Sequence, residues 1–258
     1  MHGSVGRGAA VFASALLVAF IAIPVLALAL RTDPATFVRS VASEGARTAL
    51  LLSLVTTTIT LALALFLGTP LAHLLARSEF AGKRIVDAVV DLPIVLPPAV
   101  AGLALLVAFG RRGLLGPALA GGGIQLSFTT TAVVLAQLFV AVPFYIRAAR
   151  AGFSGVEPTL EDASATLGYG AFGTFVRVTV PLALPSLIGG AVLTWARALG
   201  EFGATIMFAG NLPGVSQTVP LAVYLGLESG DVEGAVALSL VLVAVSMIVL
   251  AIVKSLQR

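Results

Sequence analysis

Six stretches of this chain are long enough and poor enough in charge to cross a lipid bilayer, and nothing else in the sequence limits its fold as much. A crossing helix needs about 20 apolar residues. Residues 9–30 supply 22 without a charge, and residues 48–76 are again free of formal charge. Residues 92–110 form a third run. The uncharged run 113–146, divided at Gly121, Gly122 and Gly123, leaves 127–146 as a fourth. A fifth extends from about 185 to 210, interrupted by Arg197 and Glu201, and a sixth covers 234–253. Backbone polar groups in lipid must be satisfied within the segment, so each run reads as helix. The expected fold class is all-α, a polytopic membrane protein of about six transmembrane helices forming one domain over residues 1–258.

Composition excludes the main alternatives. Hydrophobic residues make up 59% of the chain and charged residues 10%, with a mean hydropathy of +1.08. A soluble domain carries roughly 25% charged residues to wet its surface. A soluble enzyme and a disordered chain are both excluded on that ground. There is no Cys, and the two histidines are His2 and His73, so neither a thiolate site nor a zinc centre is expected. The net charge of +3 fits basic loops beside a membrane better than a nucleic-acid-binding face, so lipid is an expected partner and nucleic acid is not. The first run exceeds the 7–15 residues of a signal-peptide core; although Ala27-Leu28-Ala29 would pass as a cleavage site, it reads as a retained helix.

Basic residues set the expected orientation. With the N-terminus inside, the cytoplasmic side holds nine: Arg7, Arg77, Lys83, Arg84, Arg147, Arg150, Arg177, Lys254 and Arg258. The outer side holds five, Arg31, Arg39, Arg47, Arg111 and Arg112, so both termini are placed in the cytoplasm.

The longest cytoplasmic segment, about 150–183, separates the fourth and fifth spans. Pro158 suits the first turn of a helix, and Glu157, Glu161 and Asp162 favour its N-terminal end. Gly168 and Gly170 are expected to end it with positive φ. An amphipathic stretch at 172–180 follows, closed by Pro181. Gly168, Gly170 and Gly173 match G-x-G-x-x-G by spacing, but that dinucleotide fingerprint needs a preceding strand, and none is expected here. No phosphate-binding G-x-x-x-x-G-K-[ST] occurs, so any ATP energy must enter through a partner.

Charge inside a span costs roughly 2.5 to 3.5 kcal/mol and marks a functional candidate. Arg197 and Glu201 are four apart on one helical face. They fit either an ion pair that closes the bundle or an aqueous path in which Arg197 favours an anion and Glu201 holds it. Counted from Pro185, Arg197 lies about 18 Å along the helix, near mid-depth. Gly200 and Gly203 would allow close backbone packing at a gate or dimer surface. In the third run Pro93, Pro97 and Pro98 break helical regularity, which lipid tolerates only beside protein or a cavity, so this segment is expected in the interior. Ser53, Thr56, Thr57 and Thr60 form a polar stripe that reads as glue between helices before it reads as a solute path. Residues 212–227 are too short to cross and are placed at the outer surface.

Two sets of residues carry a family resemblance. Asp162-Ala163-Ser164, then Gly168, then Val178-Thr179-Val180-Pro181 resembles the E-A-A…G…I-x-L-P motif of ABC importer permeases, with spacing kept and Asp, Ser and Val substituted. The resemblance implies a type I importer permease fold in which Glu161, Asp162, Ala163, Ser164, Gly168, Val178 and Pro181 couple the chain to an ATPase. Ala196 through Thr205, Phe208-Ala209-Gly210-Asn211, Gln217-Thr218 and Pro220-Leu221-Ala222 are similar to molybdate-type permease subunits. So are Leu96 through Leu103 and Phe109 through Gly113. Sulfate permeases share the core of this pattern.

From this resemblance follow a homodimeric pore in the inner membrane, two ATPase subunits carrying ATP and Mg, and an extracytoplasmic binding protein that delivers molybdate or tungstate. No cofactor is expected on this chain itself, and no catalytic site. The candidate path comprises Arg197, Glu201, Gly200, Gly203, Thr205, Pro97 and Pro98. The alternative substrate reading is a sulfate or thiosulfate importer. An intramembrane enzyme would need paired carboxylates or a Ser/His set at depth, which this sequence lacks; a passive channel or scaffold would differ in needing no ATPase.

Overall fold

The computed structural model describes the backbone of residues 2–256 and the side chains of residues 10–251. Arg258 lies outside the described residues, as do the side chains of His2, Arg7 and Lys254. All regular structure among the described residues is helical.

Helix α1 (His2–Leu30) is followed by a short amphipathic helix, α2 (Pro34–Ala42), and by the long α3 (Glu44–Arg77). Local chemistry sets these boundaries. The Asp33 carboxylate accepts the amides of Ala35 and Thr36 ahead of α2, and the Ser43 hydroxyl accepts the amide of Ala46 at the start of α3. Helix α4 (Lys83–Val95) and α5 (Pro98–Phe109) come next, then a single turn, α6 (Gly116–Gly121), and α7 (Thr130–Ser154). Helix α8 (Pro158–Thr166) precedes a continuous helical stretch, Ala171–Leu199, made of α9 (Ala171–Thr174), a π turn (Phe175–Thr179) and α10 (Val180–Leu199). The chain ends with α11 (Gly203–Ala209), α12 (Val219–Ser229) and α13 (Val232–Leu256).

Among the described residues five helices are long and apolar enough to span a bilayer, and the bent pair α4–α5 makes a sixth if counted as one span. That pair takes the place of the third span expected over 92–110, where the prolines are expected to break helical regularity. Its axis turns by 119° at Leu96-Pro97, where extended backbone interrupts the helix. Two consecutive prolines explain it. Neither can donate to the ladder, and each forces its predecessor away from helical geometry. The expectation of an interior position holds for Pro93, which is buried, whereas Pro97, Pro98 and Val95 are exposed on the single chain.

Helices α3, α7 and α10 form the centre of the molecule. Lipid removes the hydrophobic drive for helix association, so packing depends on close fit and small residues. Tyr145 of α7 shows how. A Cβ on Gly68 would lie 2.8 Å from its ring and one on Gly190 would lie 3.4 Å from it, so the ring occupies space that two glycines leave. The Tyr145 hydroxyl meets that of Thr69 at 2.6 Å. A second cluster joins α5, α7 and α11 through Ala101, Ala132, Ala136, Ala204 and Phe208. In contrast, the membrane-length part of α1, Ala10–Leu30, has no buried residue, and α1 runs beside α13.

The polar stripe on α3 behaves as glue. Ser53, Thr56, Thr57 and Thr60 are all buried; Thr60 donates to Gln137 at 3.1 Å, and Ser53 accepts the Val219 amide at 2.8 Å. The latter bond ties the start of α12 to α3, within the stretch 212–227 that the sequence places at the outer side. Ser216 to Val219 and Leu221 are buried, Val219 among Ala46 and Ala49 of α3 and Leu238 of α13, while 212–215 and the later part of α12 are exposed.

Candidate functional site

Two regions carry the residues singled out by sequence. The first is the segment from Glu157 to Pro181. Pro158 opens α8 as expected, and the turn after it runs through Gly168 at φ +90°, a conformation that glycine adopts without steric cost. Gly170 differs from expectation: its φ is −69°, and it precedes α9 as an extended residue. Pro181 differs too. It does not close a helix but sits in the first turn of α10, with the π turn immediately before it. The Val180 amide reaches back to the Phe175 carbonyl, five residues away. A proline clashes with the carbonyl four residues before it, here that of Arg177, and the wider turn relieves that clash.

The segment has two faces. Facing inward, Ser164 is buried and accepts a hydrogen bond from the Thr174 hydroxyl at 3.0 Å, joining α8 to α9. The Glu161 carboxylate accepts the Thr179 hydroxyl at 2.6 Å and lies 3.1 Å from Arg77 Nη2. Facing outward are Asp162, Ala163, Gly168 and Pro181, together with Leu167 and Phe172, about 80% exposed each at 79% and 80%. Val178 is half-buried. The Arg177 guanidinium donates to the Tyr169 hydroxyl at 3.0 Å and lies 4.7 Å from a Tyr169 ring centroid, which stiffens the turn. Arg77, Thr174 and Thr179 were not identified as partners by sequence reasoning. Their signal was available only as a basic residue ending one helix and hydroxyls on another.

The second region surrounds the end of α10. Arg197 stands in its last turn, about 39 Å along the helix from Ala171. The backbone breaks at 200–202, just beyond Arg197. Arg197 and Glu201 are paired, as both expected arrangements require: Arg197 Nη1 lies 2.7 Å from Glu201 Oε2. Glu201 is 1% exposed, and its other oxygen accepts the Ala204 amide at 2.7 Å. The Arg197 side chain keeps 28% exposure, and among the described residues no second acceptor engages its remaining donors.

The structure brings together most of the second candidate set. A Cβ on Gly203 would stand 2.7 Å from Pro98 Cβ, so the proline bend and α11 are in contact there. One turn on, a Cβ on Gly102 would meet Ala204 O at 2.6 Å and Ala204 Cα at 2.7 Å. Gly102 was not singled out by sequence, and it is tighter than Gly203. Gly200 does not pack closely: the nearest atom to its Cβ would be Ala196 O at 3.8 Å. Thr205 is fully buried and its hydroxyl has no hydrogen-bond partner among the described residues. Pro97 shares the bend with Pro98.

Comparison with known proteins places these features in context. Residues 64–258 match the family described as binding-protein-dependent transport system inner membrane component. A relative named molybdenum transport system permease protein ModB, from Mycobacterium tuberculosis, is 44% identical over 232 residues, covering 90% of this chain and 88% of its own. A probable sulfate transport system permease protein, cysT, from Prototheca wickerhamii is 37% identical over 190 residues and 74% of each chain. Among solved structures, a chain of a bacterial alginate ABC transporter in complex with its pentasaccharide-bound periplasmic protein superposes with a TM-score of 0.76, at 15% identity, over 98% of this chain and 96% of that one.

Proposed function

Because the chain belongs to the family of binding-protein-dependent transport system inner membrane components, as a multi-pass ABC importer permease and not an enzyme, we propose that it carries molybdate or tungstate into the cytoplasm. Transport would be driven by ATP hydrolysis on a separate subunit that grips the segment 157–181. One observation carries the coupling reading. The segment turns Glu161, Ser164, Thr174 and Thr179 inward and presents Asp162, Leu167 and Phe172 outward. A helix pair fixed from behind, with large apolar side chains left exposed, suits cover by another protein.

In the full assembly two copies of this chain form the pore, two ATPase subunits hold ATP and Mg beneath it, and an extracytoplasmic protein delivers the ion. Both termini and the segment 157–181 face the cytoplasm, following the excess of basic residues on that side. The residues that couple the chain to the ATPase, by meeting it or by holding the segment that does, are Glu161, Asp162, Ala163, Ser164, Gly168, Val178 and Pro181. The path runs past Arg197, whose unengaged donors suit an oxyanion, with Glu201, Gly200, Gly203, Thr205, Pro97 and Pro98 shaping it.

Sulfate is the second reading, favoured by the 37% identity to the sulfate permease relative. Both ions are tetrahedral dianions, so a guanidinium alone does not separate them. Reconstitution with the ATPase and the binding protein, followed by uptake of labelled molybdate in competition with tungstate and sulfate, tests the assignment. Inhibition by tungstate at far lower concentration than sulfate supports it. Preferential transport of sulfate overturns the substrate, and uptake without ATP overturns the mechanism.

A further inference from the structure

We infer that Glu161 is a positioning residue, tying the docking helix α8 to the ends of two spanning helices so that its movement is carried into both. This rests on the coupling reading above. The argument is geometric. One carboxylate oxygen, Glu161 Oε1, takes the Thr179 hydroxyl at 2.6 Å and lies 3.1 Å from Arg77 Nη2. The same Arg77 nitrogen donates to the Val156 carbonyl at 2.8 Å. Four pieces of backbone therefore meet at one ion pair: the last residue of α3, the turn after α7, helix α8, and the π turn that leads into α10.

Burial separates Glu161 from its neighbour. The Arg77 and Glu161 side chains are only 18% and 22% exposed, while Asp162 is exposed and stands on the outward face. Asp162 is thus placed to meet a partner, and Glu161 is turned away from one. A charge-assisted hydrogen bond is shorter and stronger than a neutral one, which suits a joint that must bear load. One turn earlier on α3, the His73 ring packs edge-on against Phe153 and Phe175, at 5.4 and 4.9 Å between centroids.

The π turn is where the joint enters α10. Its hydrogen bonds span five residues, and it sets the register from which the spanning helix continues. Because Thr179 closes that turn and is bonded to Glu161, displacement of α8 bears directly on it. Because Arg77 ends α3, the same displacement also reaches the helix that packs along α7 and α10.

The test uses the complete transporter in proteoliposomes, reading ATP hydrolysed per molybdate ion imported. With Glu161→Gln the complex assembles like wild type, and that ratio rises about fivefold or more, because hydrolysis continues while import drops. Exchanging the charges, Arg77→Glu with Glu161→Arg, brings the ratio back toward wild type, whereas Arg77→Glu alone does not. A Glu161→Gln chain that no longer co-purifies with the ATPase would make Glu161 a docking residue and overturn the proposal. An unchanged ratio overturns it as well, whether both activities persist or both fall in step. A wild-type chain that fails to bind the ATPase sinks the coupling reading itself, a result distinguishable from either.

Discussion

Glu201 holds Arg197 with one carboxylate oxygen and the Ala204 amide with the other, both at 2.7 Å. This buried acid therefore joins the last turn of α10 to the first turn of α11 across the break at 200–202, and points Arg197 at the same time.

Removing the acid leaves a poorly solvated cation and an orphaned amide. Glu201→Ala is expected to lower stability by about 3 kcal/mol, the scale for breaking a buried ion pair from one side. Thermal unfolding of the detergent-purified chain measures this. A shift within error of wild type contradicts the bridging role.

Arg197→Ala addresses the path. Loss of one charged hydrogen bond to a transported anion, about 1.5 kcal/mol, lowers oxyanion uptake about tenfold. Co-purification with the ATPase stays intact, because Arg197 stands about 24 Å along α10 from Pro181, the end of the docking segment. Normal uptake by this variant leaves Arg197 as a structural residue.

The glycines around the proline bend divide by the space available to a side chain. Gly102→Ala would press a Cβ to 2.6 Å from a backbone oxygen, so it is expected to cost about 1–3 kcal/mol, the usual range for overpacking. Gly200→Ala meets nothing nearer than 3.8 Å and is expected to leave the melting temperature nearly unchanged. Reversal of that order would contradict the backbone contact between α5 and α11.

Gly168 separates strain from docking. No atom lies within 4 Å of where its Cβ would stand, so Gly168→Ala pays only for positive φ, about 1 kcal/mol, and retains most uptake. Gly168→Trp adds bulk on the exposed face and is expected to abolish uptake while the chain still inserts in the membrane. Equal uptake by wild type and the tryptophan variant would remove the segment from the coupling mechanism.

The sequence made the spanning helices legible because lipid demands long uncharged runs, and local rules placed Pro158 and the Gly168 turn correctly. Where helices depart from regularity it was less informative. Paired prolines announced a break but not its 119° angle, and Pro181 suggested an end where the chain instead widens into a π turn. The partners of Glu161 and the tight fit of Gly102 were hidden for another reason. Arg77 and Glu161 are far apart along the chain, and Gly102 lies inside an apolar run that gives no sign of what packs on it.

Natural absence of cysteine makes the most direct measurement simple. Phe172→Cys places one thiol on the outward face of the 157–181 segment, where Phe172 is 80% exposed. In membranes containing the assembled transporter, a short bifunctional reagent is expected to join this residue to the ATPase subunit and to stop molybdate uptake. The same treatment of Leu103→Cys, on the exposed apolar side of α5, should yield no such product. Cross-linking of position 103 but not 172 to the ATPase, or undiminished uptake after complete cross-linking at 172, would contradict the account.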